Sequence, residues 1–151
     1  RKNQIVASQL AGEFTLPKNK NQKLVFIAGG IGITPFRSMV KFLIDTKETR
    51  NIVLFYSNTN ASEIAYKDIF DSSSKIGVKT VYTLTEETDP SWSGRVGYLD
   101  KKMIQEEVSD FKERLFYISG PHSMVTSFEK TLSEMGIKRN QIKIDFFPGF
   151  A

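Results

Sequence analysis

Cysteine is absent from these 151 residues, and histidine and tryptophan occur once each. Without thiols there is no disulfide and no cysteine-held metal or cluster, which is compatible with a reducing compartment. A single histidine, His122, and no ligand-spaced acidic group give no reason to expect a metal site. No apolar run approaches the roughly 20 residues that a membrane helix needs. The opening Arg1-Lys2-Asn3-Gln4 is not the start of a secretory signal and carries no initiator Met. The surplus of positive charge is small, +4, and the lysines are scattered, as at Lys18, Lys20, Lys23 and Lys101-Lys102. Scattered charge reads as solvated surface, so nucleic acid is not an expected partner; a modest surplus suits anionic ligands or acidic proteins.

What the chain does contain is a regular alternation. Short runs rich in β-branched, aliphatic and aromatic residues predict buried parallel strands at 24–28, 52–57, 78–84, 115–119 and 142–147. Between them, helices are expected at 35–46, 62–72, 100–108 and 123–135, with Asn60 and Glu63 as a capping box and Gly136 as a helix stop. Alternating strands and helices imply an α/β fold: a doubly wound, five-stranded parallel sheet with helices on both faces. Ligands of such sheets bind beyond the carboxyl ends of the strands, near the point where strand order reverses.

The residues that follow the strands are of ligand-binding type. After the first strand comes Gly29-Gly30-Ile31-Gly32-Ile33-Thr34-Pro35, where glycines let backbone N–H groups approach an anion. Thr34 is the expected N-cap and Pro35 the first helical residue. The stretch is not a full G-x-G-x-x-G fingerprint, because Pro35 stands in place of the third glycine. The second strand leads into Ser57-Asn58-Thr59-Asn60, the third into Thr85-Glu86-Glu87, the fourth into Ser119-Gly120-Pro121-His122 and the fifth into Asp145-Phe146-Phe147. Any one of these is compatible with a plain turn; together they outline a shared cleft.

On these residues the chain resembles the nicotinamide-binding domain of the ferredoxin–NADP reductase family, from Gly12 to Phe147. Gly29 to Pro35 is similar to that family's glycine turn with its I-[AT]-P ending. Leu54-Phe55-Tyr56-Ser57-Asn58 and Glu63-Ile64-Ala65-Tyr66 are similar to its second strand and helix. Trp92-Ser93-Gly94-Arg95-Val96-Gly97-Tyr98 resembles its W-x-G-R-x-G segment, and Tyr117 to Val125 its Y-x-C-G-P-x-x-M motif. The family pairs this domain with an upstream flavin-binding barrel, whose R-x-Y-[ST] motif does not occur in these residues. The resemblance therefore implies the C-terminal half of a two-domain flavoprotein: residues 1–22 as the end of the barrel plus a linker, and residues 23–151 as the NAD(P)-binding domain.

The resemblance also implies roles. Gly29, Gly30, Gly32, Ile33, Thr34 and Pro35 would take the dinucleotide pyrophosphate, Gly30, Gly32 and Thr34 foremost. Thr85 and Glu86 would face the adenosine ribose, and Ser57 and Asn58 would also bind the cofactor. A carboxylate at Glu86 repels a 2′-phosphate and accepts from ribose hydroxyls, which favours NADH over NADPH. Arg50 and Arg95 are the cations left that could reach such a phosphate. Gly120 and Pro121 would line the nicotinamide–ribose end, with His122 at the helix entrance and Met124 also among the cofactor-binding residues. Ser119 replaces the family's frequent cysteine, and Asp145 stands where the family often has a glutamate; these two are the implied residues at the reacting ring. Asp145 would relay protons or orient Ser119, unless it is a plain strand-end carboxylate. Phe147 resembles the terminal aromatic that stacks on the flavin, with core packing as its alternative. His122 is not expected to act as a general acid or base.

The implied protein passes hydride from NADH or NADPH to FAD and then electrons to an iron–sulfur or haem protein. Its partners are the FAD-binding domain of the same protein and that acceptor, and its implied place is the cytoplasm or the cytoplasmic face of a membrane. A non-catalytic nucleotide-sensing module is the alternative. A flavodoxin-like domain would want a hydroxyl-rich first loop, whereas this one is rich in Gly and Ile.

Overall fold

The computed structural model describes residues 14–147. Strand β1 (Leu24–Gly29) is followed by a tight 3-10 turn, Gly30–Gly32, and then by helix α1 (Ile33–Thr46). Next come β2 (Ile52–Asn58), α2 (Lys67–Ser72), β3 (Val78–Leu84) and β4 (Arg95–Val96). The described residues end with α3 (Lys101–Glu107), β5 (Leu115–Pro121), α4 (His122–Glu134) and β6 (Ile142–Phe147). The sheet is entirely parallel in the order β4-β3-β2-β1-β5-β6. It has six strands rather than the five expected. The extra one, β4, is two residues long and pairs only with Thr83 and Leu84, too short to leave a periodic pattern.

Side chains alternate across the sheet into two cores. On one face Leu24, Phe26 and Ala28 of β1 meet Phe36, Val40 and Leu43 of α1 and Phe70 of α2. The stripe at i, i+4, i+7 on α1 is what buries that helix, and Phe26 stacks on Phe36 with ring centroids 4.4 Å apart. On the other face Val25 and Ile27 meet Met103 and Ile104 of α3 and Val125 and Leu132 of α4. Full burial of each such aliphatic or aromatic side chain contributes about 1.5–3 kcal/mol, enough to fix which face each helix covers.

Several expected boundaries shift. Helix α1 begins at Ile33 with Gly32 as its N-cap, and the Thr34 hydroxyl donates to the Ile31 carbonyl rather than capping; Pro35 is the third helical residue. The expected helix 62–72 is broken. A 3-10 turn at Ala61–Glu63 is followed by an extended Ile64 and a left-handed Tyr66, and only Lys67–Ser72 is α-helical. No capping box forms at its start, because the Asn60 side chain takes the Ser62 hydroxyl and the Glu63 carboxylate takes the Thr59 N–H. At α3 the Asp100 carboxylate caps the helix by accepting from the Met103 N–H, and Gly136 ends α4 with φ +88°.

Residues 14–23, before β1, are part of this body. Phe14 is buried against Phe36 and Tyr117, and the Tyr117 hydroxyl donates to the Thr15 carbonyl at 2.6 Å. Gly12 and Glu13, and the extension 148–151, lie outside the described residues.

Candidate functional site

The chain leaves β1 toward β2, β3 and β4, then returns to the far side of β1 for β5 and β6. The reversal therefore falls between β1 and β5, where open α/β sheets form their ligand crevice. Ala28 and Ser119 are register partners there, so the glycine turn after Gly29 and the turn at Gly120 emerge side by side.

The glycines of this junction lack a side chain for three different reasons. A Cβ on Gly32 would collide with the backbone of Ser119 and Gly120, so Gly32 allows α1 to seat against the end of β5. Cβ atoms on Gly29 or Gly120 would meet the Met124 thioether, which fills the space over both. Gly30 alone among them has φ +53° and no heavy atom within 4 Å of where its Cβ would be. Its backbone is exposed and left-handed, the condition for presenting amides to an anion. With α1 starting immediately after, the macrodipole adds positive potential at the same spot.

Two hollows open beyond the strand ends. One, of about 510 Å³ on the α3–α4 side, is lined by Ser57, Asn58, Thr85, Glu86, Tyr98 and Met124 among others. The second, of about 400 Å³ on the α1–α2 side, is lined by Gly30, Ile33, Thr34, Asn58, Glu63 and Tyr66 among others. Asn58 lines both. It is 7% exposed, and its side-chain amide nitrogen has no hydrogen-bond partner among the described residues. The Ser119 hydroxyl, 1% exposed, is likewise unpartnered. Buried polar groups are ordinarily satisfied, so these two unpartnered groups at the switch point are candidates to meet a ligand.

The turns after β2 and β3 are zipped together. The Thr85 N–H donates to the Asn58 carbonyl and the Glu86 N–H to the Thr59 carbonyl. Glu87 is committed to the loop, accepting from the N–H groups of Ala61 and Asp89, whereas the Glu86 carboxylate is exposed in the larger hollow. The Thr83 hydroxyl donates to the Gly97 carbonyl, which fixes the approach of the exposed Tyr98 to that hollow. Neither arginine considered for a 2′-phosphate is free. Arg50 lies before β2, at the opposite end of the strands, held by Glu48 and the Pro17 carbonyl. Arg95 is clamped by Glu106 and Glu107.

The nicotinamide-side residues are arranged on β5 and β6. Ser119 pairs in register with Asp145, and Pro121 with Phe147. Register partners on adjacent strands share a face. Burial alone pushes the Asp145 carboxyl above its ordinary range, and it does not hold Ser119, whose hydroxyl has no partner. His122 opens α4 and meets the exposed Phe146 edge-on with centroids 4.8 Å apart. Pro35 does not reach either hollow; it lines a separate groove with Phe14, Met39 and Phe42. Sequence reasoning gave no site role to Tyr66, Glu63 and Tyr98. The first two stood in an expected helix, and the third in a segment whose path depends on the two-residue β4.

Fold and cleft together define a dinucleotide-type α/β domain. The chain matches the family described as oxidoreductase NAD-binding domain over residues 26–130, and it belongs to that family. A flavohemoprotein of Oceanobacillus iheyensis is 27% identical over 139 residues, 91% of this chain and 34% of that protein. The glycine betaine monooxygenase reductase subunit of Pseudomonas aeruginosa is 28% identical over 117 residues, 76% of this chain and 32% of that protein. Among solved structures, the flavohem-like FAD/NAD-binding domain of the Vibrio cholerae nitric oxide dioxygenase superposes with a TM-score of 0.76 at 17% identity. That match covers 89% of this chain and 55% of the other. The chain thus spans about a third of the length of the curated relatives it matches.

Proposed function

We propose that this chain is the nicotinamide-nucleotide domain of an NAD(P)H-dependent flavoprotein reductase, and that it prefers NADH. The observation that carries the reading is the open, left-handed Gly30 turn set between two orphaned buried groups, the Asn58 amide and the Ser119 hydroxyl. The turn and the start of α1 take the diphosphate. Ser57, Asn58, Thr85 and Glu86 hold the adenosine ribose, and Ser119, Gly120, Pro121, Met124 and Asp145 frame the nicotinamide.

When bound, the nicotinamide supplies a hydride, and FAD held by a domain of the same protein receives it; a haem or iron–sulfur protein is the onward acceptor class. This chain contributes binding and orientation. Met124 and the apolar walls keep water from the ring, the Ser119 hydroxyl is placed to orient it, and Phe147 stands at the sheet edge where the flavin ring would stack. Residues 1–22 would then join this domain to the flavin domain.

Titration calorimetry with NADH and NADPH tests the reading. NADH is expected to bind about tenfold tighter than NADPH, because Glu86 repels a 2′-phosphate and both candidate arginines are engaged elsewhere. Equal affinities would overturn the preference, and no binding of either nucleotide would overturn the function.

A further inference from the structure

Arg37 is a half-buried cation that the fold does not explain. Among the described residues it forms no ion pair, and its Nε is buried without a hydrogen-bond partner. It lies on α1 three and four residues after Thr34 and Ile33, both of which line the smaller hollow. Residues so spaced share a helix face, and side chains on a helix lean toward its N-terminus. Arg37 therefore leans toward the glycine turn. Its guanidinium carbon lies 5.4 Å from the ring centroid of Tyr66, a wall of the same hollow.

Tyr66 is unusual in its own right. Its backbone is left-handed, φ 60° and ψ 28°, which costs a bulky residue about 1–2 kcal/mol. That conformation starts α2, and the Tyr66 carbonyl accepts from the N–H groups of Ile69 and Phe70. It also leaves Tyr66 42% exposed at the hollow instead of packed in the core. Across the hollow stands the Glu63 carboxylate, engaged by the Thr59 N–H. A ligand anion entering here meets a like charge at Glu63, and the nearby Asn58 amide is neutral. A cation on the α1 side is needed to make the hollow hospitable to a phosphate.

We infer that Arg37, steadied on the ring of Tyr66, is the side-chain cation that binds the diphosphate of the nucleotide and thereby sets its position. The inference rests on the nucleotide-binding reading above. It adds to backbone amides a fork of guanidinium donors suited to phosphate oxygens, which a lysine does not reproduce.

The test is titration of the 151-residue chain with NADH, ADP-ribose, adenosine and inorganic pyrophosphate at several salt concentrations. Arg37→Gln should weaken NADH, ADP-ribose and pyrophosphate by about tenfold or more, leave adenosine unchanged and flatten the salt dependence. Arg37→Lys should recover part of the loss. Tyr66→Gly keeps a residue that accepts the left-handed backbone, so it should remain folded yet lose affinity for the same three ligands. Unchanged NADH affinity and salt dependence in Arg37→Gln would overturn the inference. So would an equal loss for adenosine, which would mark Arg37 as mere support for the fold. A wild-type chain that binds no ligand at all would sink the nucleotide-binding reading itself, whereas binding that ignores Arg37 sinks only this step.

Discussion

Glycines two residues apart do different work, and single substitutions separate their roles. At Gly32 a methyl group would run into the Ser119 carbonyl, so Gly32→Ala forces β5 and α1 apart. Overpacking of this kind costs about 1–3 kcal/mol. Gly30→Ala meets no neighbour and pays only for a left-handed backbone, about 1 kcal/mol. Urea unfolding of both variants is expected to show the larger loss at Gly32; the reverse order would mean that the turn relaxes in solution. Ser119 poses a different problem. Its hydroxyl is buried and unpaired, so Ser119→Ala should raise stability by about 1 kcal/mol. The same denaturation experiment reads this, and a loss of stability would show that the hydroxyl has a partner in the free protein.

Among the elements, the ends of the strands opposite the cleft carry the structural charge network. The Arg114 guanidinium donates to Asp110, to the Asn51 side chain and to the Leu24 carbonyl, and Lys23 joins from the segment before β1. Hydrogen bonds from Arg114 and Lys23 hold the Asp110 carboxyl down at about 2, below its ordinary 3.8. A carboxyl depressed by folding adds stability that is present above the unfolded value and is lost as pH falls through the folded one. With solvent screening of a partly exposed pair, the contribution is about 1 kcal/mol. Urea midpoints should thus decline between about pH 4 and 2, and the decline should be shallower in Asp110→Asn; parallel curves would remove Asp110 from the account. Most elements were legible in the sequence, because buried parallel strands are continuous apolar runs: β3 and β6 match their expected bounds, and β1, β2 and β5 differ only at their C-terminal ends. Two features were not. β4 exists through pairing with Thr83 and Leu84 rather than through its own pattern, and the break before α2 depends on a left-handed tyrosine that no propensity signals. The cleft floor was legible for the same reason as the strands, since it is made of strand ends. Its walls, Tyr66 and Tyr98, were not, since tertiary packing brings them in.

For the molecule as a whole, binding and chemistry are expected to separate. The described body has its own two-faced core and carries the candidate nucleotide cleft, so in the proposed reading nucleotide affinity should reside in this chain. In the proposed reading the hydride acceptor belongs to the flavin domain, and Pro121 and Phe147, the pair proposed to face it, are register partners on β5 and β6, with β6 at the edge of the described sheet. Hydride transfer needs the two rings held in contact with one orientation, a gain that proximity confers only when both domains are joined. The isolated chain should therefore bind NADH yet reduce no added acceptor at a measurable rate. The same chain within the intact protein, loaded with FAD, should bleach the flavin absorbance on anaerobic mixing with NADH, about tenfold faster than with NADPH at subsaturating nucleotide. Rapid acceptor reduction by the isolated chain without flavin would contradict this division of labour. An intact, FAD-loaded protein that binds NADH and leaves its flavin oxidised would instead favour a nucleotide-sensing module.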